Sequence, residues 1–174
     1  MRLRLDRVRR GIEPSHPVSL DAYRELTSAF PTGVTVVTSI DIDGEPRGMT
    51  CSSLTSVTLC PPTLLVCLRT GSATWNAVCS AGGFAVNLLH ARAHRVAELF
   101  AGPVRDRFAK VAWRPSPAGY PWLSADAFAL AECKVAGTMM VGDHTVIVGE
   151  VGEVLQIGDQ PLLYGLRRFL AWPD

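Results

Sequence analysis

The chain has 174 residues, a formal net charge of +1, 48% hydrophobic residues and a mean hydropathy of +0.19. That length suits one domain with a sizeable core, and the near-neutral charge gives no general case for nucleic acid or an acidic membrane surface as partner. The long uncharged stretch Gly48 to Leu68 is interrupted by hydroxyls and by Pro61-Pro62, so it reads as two strands and not as a membrane span.

"MRLRLDRVRR" sets Arg2, Arg4, Arg7, Arg9 and Arg10 against Asp6, and no apolar segment follows to make a secretory signal. Residues 1–16 are therefore expected to form a poorly ordered basic tail before a single domain at 17–174. Ser19 is placed to cap a short helix, "LDAYRELTSAF", whose Leu20, Tyr23, Leu26 and Phe30 recur at helical spacing. "PTGVTVVTSI" reads as a strand, Asp43-Gly44 as a hairpin turn, and the return strand begins near Pro46. Pro61-Pro62 marks a break before the apolar strand "TLLVCLR".

Ser72 and Gly82-Gly83 bracket a second helix, "FAVNLL" is a strand, and "ARAHRVAELFAG" is an amphipathic helix with Val96, Leu99 and Phe100 inward. The Pro- and Gly-rich run from Pro103 to Leu123 reads as a surface excursion. "AFALAECKVAGTMM" and "HTVIVGEVGEVL" form a long antiparallel pair, and "PLLYGLRRFL" adds one final strand. Six or seven strands with two or three short helices, lacking regular βαβ alternation, indicate a mainly β antiparallel barrel with peripheral helices.

Cys51, Cys60, Cys67, Cys79 and Cys133 are an odd set without a C-x-x-C pair. They read as reduced thiols of a cytoplasmic protein, and not as a disulfide framework or zinc site. The surplus of apolar residues suggests surface covered by a second copy of the chain. His90 and His94 stand four apart, but no H-E-x-x-H accompanies them, so no metal site is assigned. A P-loop, a G-x-S-x-G elbow and a dinucleotide-binding G-x-G-x-x-G after a strand are all missing.

The unusual stretch is "GMTCSSLTSVTLCPP", with Thr50, Ser52, Ser53, Thr55, Ser56 and Thr58 and no charge. Small hydroxyls beside Gly48 suit a flat ligand edged with carbonyls and nitrogens; the plain alternative is a half-exposed strand facing water. "GDHT" likewise reads either as a turn starting a strand or as a histidine aimed at that ligand.

Taken together, "FPTGVTVVTS", "GMTCSSLTSVTLCPPTLLVCL", "FAVNLL", "DRFAKVAW" and "GDHTVIVGEV" resemble the short-chain flavin reductase family, from about Phe30 to Tyr164. The resemblance implies an FMN-binding split barrel of Greek-key type, a homodimer, and hydride transfer from NADH or NADPH to FMN or FAD. Reduced flavin would then pass to a separate monooxygenase. It implies a flavin site formed by Thr32, Gly33, Val34 and Thr35; by Met49, Thr50, Cys51, Ser52, Ser53, Leu54, Thr55 and Ser56; and by Ala81, Gly82 and Asn87. Gly142, Asp143, His144 and Thr145 would meet the nicotinamide, with His144 positioning it, and Ser72 and Thr74 are weaker candidates for a phosphate end. Cys51 stands where the family pattern suggests Ala, Cys60 where it suggests Asp, and "YGLRRF" matches poorly, leaving Arg168 without a role. Two other readings stay open: a split-barrel flavoprotein that keeps its flavin as an oxidase or oxygenase, and a non-enzymatic flavin- or haem-binding protein.

Overall fold

A computed structural model of the chain describes residues 18–156 and 158–172; the basic tail at 1–16 lies outside them. Helix α1 (Leu20–Ala29) starts where the Ser19 hydroxyl accepts the Ala22 N–H at 3.2 Å. Its apolar stripe is largely uncovered by the described residues: Leu20, Tyr23, Leu26 and the following Phe30 are all more than half exposed.

Strands β1 (Thr32–Gly33), β2 (Thr35–Ile40) and β3 (Pro46–Cys51) follow, the last two joined by a turn in which Asp41 accepts from the Asp43 and Glu45 N–H groups. Next come β4 (Thr55–Leu59) and β5 (Pro62–Arg69), joined across a cis Cys60–Pro61 bond. Helix α2 (Ala73–Ala81) is capped by Ser72 and ended by Gly82, whose φ of +67° suits glycine. Strand β6 (Gly83–Leu89) precedes α3 (His94–Ala101). After a single 3₁₀ turn at Arg107–Lys110, β7 (Arg114–Pro115) pairs with β8 (Pro121–Trp122). The long pair is β9 (Ala127–Val141) and β10 (His144–Gln156), and the chain closes with β11 (Leu162–Gly165) and β12 (Arg168–Ala171).

Seven strands form one sheet in the order β3-β2-β6-β9-β10-β5-β4, with every neighbouring pair antiparallel. The sheet curls until β3 approaches β5. At that seam Ser53 donates its hydroxyl to the Cys67 carbonyl at 3.3 Å and accepts the Cys67 N–H at 2.8 Å. Val37, Val66, Leu68, Phe84, Val86 and Ile147 fill the interior. A second core lies outside the curled sheet, where Val36, Leu89, Ala97, Phe100, Leu123 and Leu162 pack together. Strand β2 serves both, and is consequently buried along nearly its whole length.

Two expectations need correction. The C-terminal run is a hairpin and not one strand, because Leu166 and Arg167 take left-handed geometry with φ of 51° and 60°. Glycine or asparagine usually marks such a turn, so nothing in the composition signalled it. The Pro103–Leu123 excursion also returns to the core: Pro121, Trp122 and Leu123 are buried, and the Thr38 hydroxyl donates to the Pro121 carbonyl at 2.6 Å.

Gly149 sits against this interior, where an added Cβ would stand 2.6 Å from a ring carbon of Phe84 and 2.9 Å from the Cys133 Cβ. Gly149→Ala is expected to destabilise the fold by about 1–3 kcal/mol. Gly137→Ala, with nothing within 4 Å of the new methyl, should change stability by less than about 0.5 kcal/mol. Urea midpoints at unchanged slope would measure both.

Candidate functional site

Successive side chains of a strand leave it on opposite sides, and β3 is divided accordingly. Met49 and Cys51 point into the barrel and join its interior cluster. Gly48 and Thr50 face outward, toward α3. A Cβ at Gly48 would lie 3.1 Å from both Phe100 and Phe108, so glycine here lets those rings rest on the strand. Thr50 donates its hydroxyl to the Ala97 carbonyl of α3 at 2.6 Å.

Beside this contact lies a cleft of about 500 Å³. Val34, Thr50 and Ser52 form one wall, and Glu98, Ala101 and Gly102 of the α3 end form another. Tyr164 and Phe169 close it, their rings 5.0 Å apart and tilted by 55°. A smaller cleft of about 190 Å³ shares Val34 and adds Gly33, Thr35, Leu54, Leu88 and Phe128. In the adjoining segment the Thr32 hydroxyl oxygen is buried without a partner among the described residues, whereas buried polar groups are normally bonded. A further cleft, about 670 Å³, lies farther along β3 and is charged, with Arg47, Arg105 and Arg107 among its lining; it takes in Thr74.

The expected site residues divide along these lines. Gly33, Val34, Thr35, Thr50, Ser52 and Leu54 line the two adjoining clefts. Met49 and Cys51 do not, since the pleat turns their side chains inward. Ser53 is only partly exposed and its hydroxyl holds the barrel seam. The Thr35 hydroxyl is likewise occupied, donating to the Cys51 carbonyl at 2.8 Å.

Thr55 and Ser56 sit exposed on the edge strand β4, apart from either cleft. Ala81 and Gly82 precede the far end of β6, about 17 Å along the strand from Leu88 at the cleft. Asn87 is fully buried. Its amide donates to the Val36 carbonyl, the Thr38 hydroxyl and the Pro121 carbonyl, and its oxygen accepts the Leu123 N–H. It therefore fastens strands together and presents nothing to a ligand in this chain.

Gly142 (φ +59°) turns the β9–β10 hairpin, and the Thr145 hydroxyl is buried against that of Thr70 at 2.8 Å. His144 is exposed and its Nδ1 lies 2.8 Å from Asp143 Oδ1. The hydrogen bond from His144 holds the Asp143 carboxyl below its usual range. His144 pairs with Arg69, two residues beyond Cys67, which puts its backbone about 8 Å from that of Cys67, whose opposite edge meets Ser53 at the seam. It lines neither cleft of the single chain.

Sequence reasoning missed Glu98, Ala101, Tyr164 and Phe169. Only the aromatic pair left a signal, in "YGLRRF", and that run gave no direction. Burial pushes the Cys51 thiol up, so the thiol at the back of β3 stays protonated. Burial, reinforced by the neighbouring Glu132 carboxylate, pushes the Cys133 thiol up to about 12.

Two outcomes follow from this geometry. Ser53→Ala strands the Cys67 N–H and should cost about 1–3 kcal/mol in urea unfolding, while Ser52→Ala should leave stability unchanged. Iodoacetamide at neutral pH should spare Cys51 and Cys133 in the native protein and modify them after denaturation, as peptide mapping would read.

Residues 27–173 match the family described as flavin reductase like domain. A flavin reductase (NADPH) of Lentzea aerocolonigenes is 54% identical over 160 residues, covering 91% of this chain and 94% of that protein. A flavin reductase (NADH) of Kitasatospora aureofaciens is 44% identical over 156 residues, covering 88% and 82%. Among solved structures, the styrene monooxygenase flavin reductase of Pseudomonas putida superposes with a TM-score of 0.79 at 32% identity, covering 87% of this chain and 98% of that one. The chain belongs to the flavin reductase-like family, whose split barrel its curled seven-stranded sheet and flanking helices reproduce.

Proposed function

We propose that this protein reduces FMN or FAD with NADH or NADPH and releases the reduced flavin to a separate monooxygenase, using the cleft between β3, α3 and the β11–β12 hairpin. The observation carrying this placement is the buried, partnerless Thr32 hydroxyl beside a cleft walled by Ser52 and two aromatic rings. Those residues fit a flavin. Nothing lies within 4 Å of a Cβ built on Gly33, so a flat ring can approach the backbone there. Tyr164 and Phe169 offer aromatic surface, and the exposed Ser52 hydroxyl makes no hydrogen bond within the described residues.

When bound, the flavin supplies a hydride acceptor at N5 for the nicotinamide C4. The chain's own part is orientation. Thr32 and Ser52 offer hydroxyls to polar ring edges, Val34 and Leu54 exclude water, and no general acid or base is required. His144 takes the nicotinamide carboxamide: with Nδ1–H donated to the Asp143 carboxylate, Nε2 is the ring atom left to meet the amide group. Asp143 thereby fixes the tautomer.

The active unit is a homodimer. Met139, Met140 and Val141 on β9, with Val57 and Leu59 on β4, form exposed apolar surface of the kind a second copy covers. Five free cysteines favour a cytoplasmic setting, and among the described residues no helix is long and apolar enough to cross a membrane.

Oxidation of NADH or NADPH, followed by absorbance, should require added flavin; loss of nucleotide at the same rate without it would overturn the reading. Ser52→Ala should raise the flavin KM about three- to tenfold, the loss of one ordinary hydrogen bond. His144→Ala should raise the nicotinamide KM more than the flavin KM, and equal kinetics with the parent would remove it from the site. Light scattering should give twice the 18.8 kDa chain mass.

A further inference from the structure

Charge is distributed unevenly around the outer face of β3. Arg105 and Arg107 line the cleft beside Gly48, and Arg107 turns its guanidinium onto the carbonyls of Gly48 and Gly102. The hydroxyl-bearing cleft beside Thr50 and Ser52 holds a single charged side chain among the described residues, the carboxylate of Glu98. Its other lining groups, Val34, Ala101, Gly102, Tyr164 and Phe169, are neutral.

Among the described residues Glu98 is also free: it is exposed, and no ion pair or side-chain hydrogen bond engages it, although Arg95 lies one helical turn earlier on α3. An exposed glutamate on a helix needs no explanation; one that supplies the whole charge of a ligand cleft sets what that cleft will accept. An ionised carboxylate only accepts hydrogen bonds, so it pairs with hydroxyls and repels other anions. A carboxylate that accepts from a ribose hydroxyl and disfavours the corresponding phosphate is the device by which dinucleotide folds tell the two apart.

Resting on the flavin-reductase reading above, we propose that Glu98 is a specificity residue: it accepts hydrogen bonds from sugar-type hydroxyls of the bound ligand and turns away a phosphate ester. Those hydroxyls belong either to the ribityl chain of the flavin or to a ribose of the pyridine nucleotide, and the two sources predict different shifts. If the ribityl chain lies at Glu98, the carboxylate discriminates riboflavin from FMN. If a ribose lies there, it discriminates NADH from NADPH.

The test measures KM for riboflavin and FMN at fixed nucleotide, and for NADH and NADPH at fixed riboflavin, in the parent, Glu98→Gln and Glu98→Lys. Glutamine has similar helix propensity and the site is exposed, so thermal unfolding should not change. The proposal expects one of the two KM ratios to move toward the phosphorylated ligand, by about threefold in Glu98→Gln and about tenfold or more in Glu98→Lys. The ratio that moves identifies the source. A purely structural role would alter both members of each pair together and leave the ratios fixed. Ratios within about twofold of the parent in both variants overturn the role of Glu98 while flavin reduction by the parent still stands. A parent protein that oxidises no nucleotide with any flavin overturns both. Should Glu98→Lys fail to fold, the ratios of Glu98→Gln decide alone.

Discussion

Met49 and Cys51 point into the barrel while Gly48, Thr50 and Ser52 point out of it, and most of what the molecule does follows from this two-residue alternation. The inward residues help fill an interior that also takes in Phe84 and Ile147. The outward ones receive α3: glycine at 48 admits Phe100 and Phe108, and Thr50 ties the helix to the strand through Ala97. The cleft is the space that remains between that helix and the C-terminal hairpin. A register slip of one residue on β3 would exchange the two sets and abolish core and cleft together.

Buried polar groups divide just as sharply between fastening and binding. Asn87 ties β6 to β2 and to the 121–123 segment with four hydrogen bonds, so its burial is fully compensated. Ser53 closes the seam with both of its capacities, donor and acceptor. Thr35 and Thr50 each give their proton to a carbonyl of the fold. Thr32 is the contrast, buried with no bond, and it sits where the clefts begin. An unsatisfied hydroxyl costs stability, and a ligand edge that bonds it recovers that cost on binding.

The resulting site is poor in charge and needs little proton chemistry, which agrees with a family that moves hydride between two heteroaromatic rings. Binding energy comes from enclosure and a few hydroxyls; among the described residues no arginine or lysine lines either of the two adjoining clefts. Such a site suits a product that has to leave, as reduced flavin handed to another enzyme does. Glu98 adds selectivity to that arrangement at the rim, where a single exposed charge can bias a choice without rigidly holding the ligand.

The linear order of residues determined the local structure well. Ser19 and Ser72 cap helices, Gly82 ends one, the β9–β10 pair runs as its alternation indicates, and the ordered motifs identified the family. Capping, turns and periodicity depend on neighbours within a few positions, which is why they are legible. The hydroxyl stretch was legible as a cluster but not as a set of roles, because composition cannot say which face of a strand a partner covers. Only the folded barrel assigned Ser53 to the seam, Cys51 to the interior and Ser52 to the cleft. It alone brought Glu98, Tyr164 and Phe169 beside them, since contacts between residues some fifty to more than a hundred positions apart arise from sheet curvature and helix packing, which no local pattern encodes.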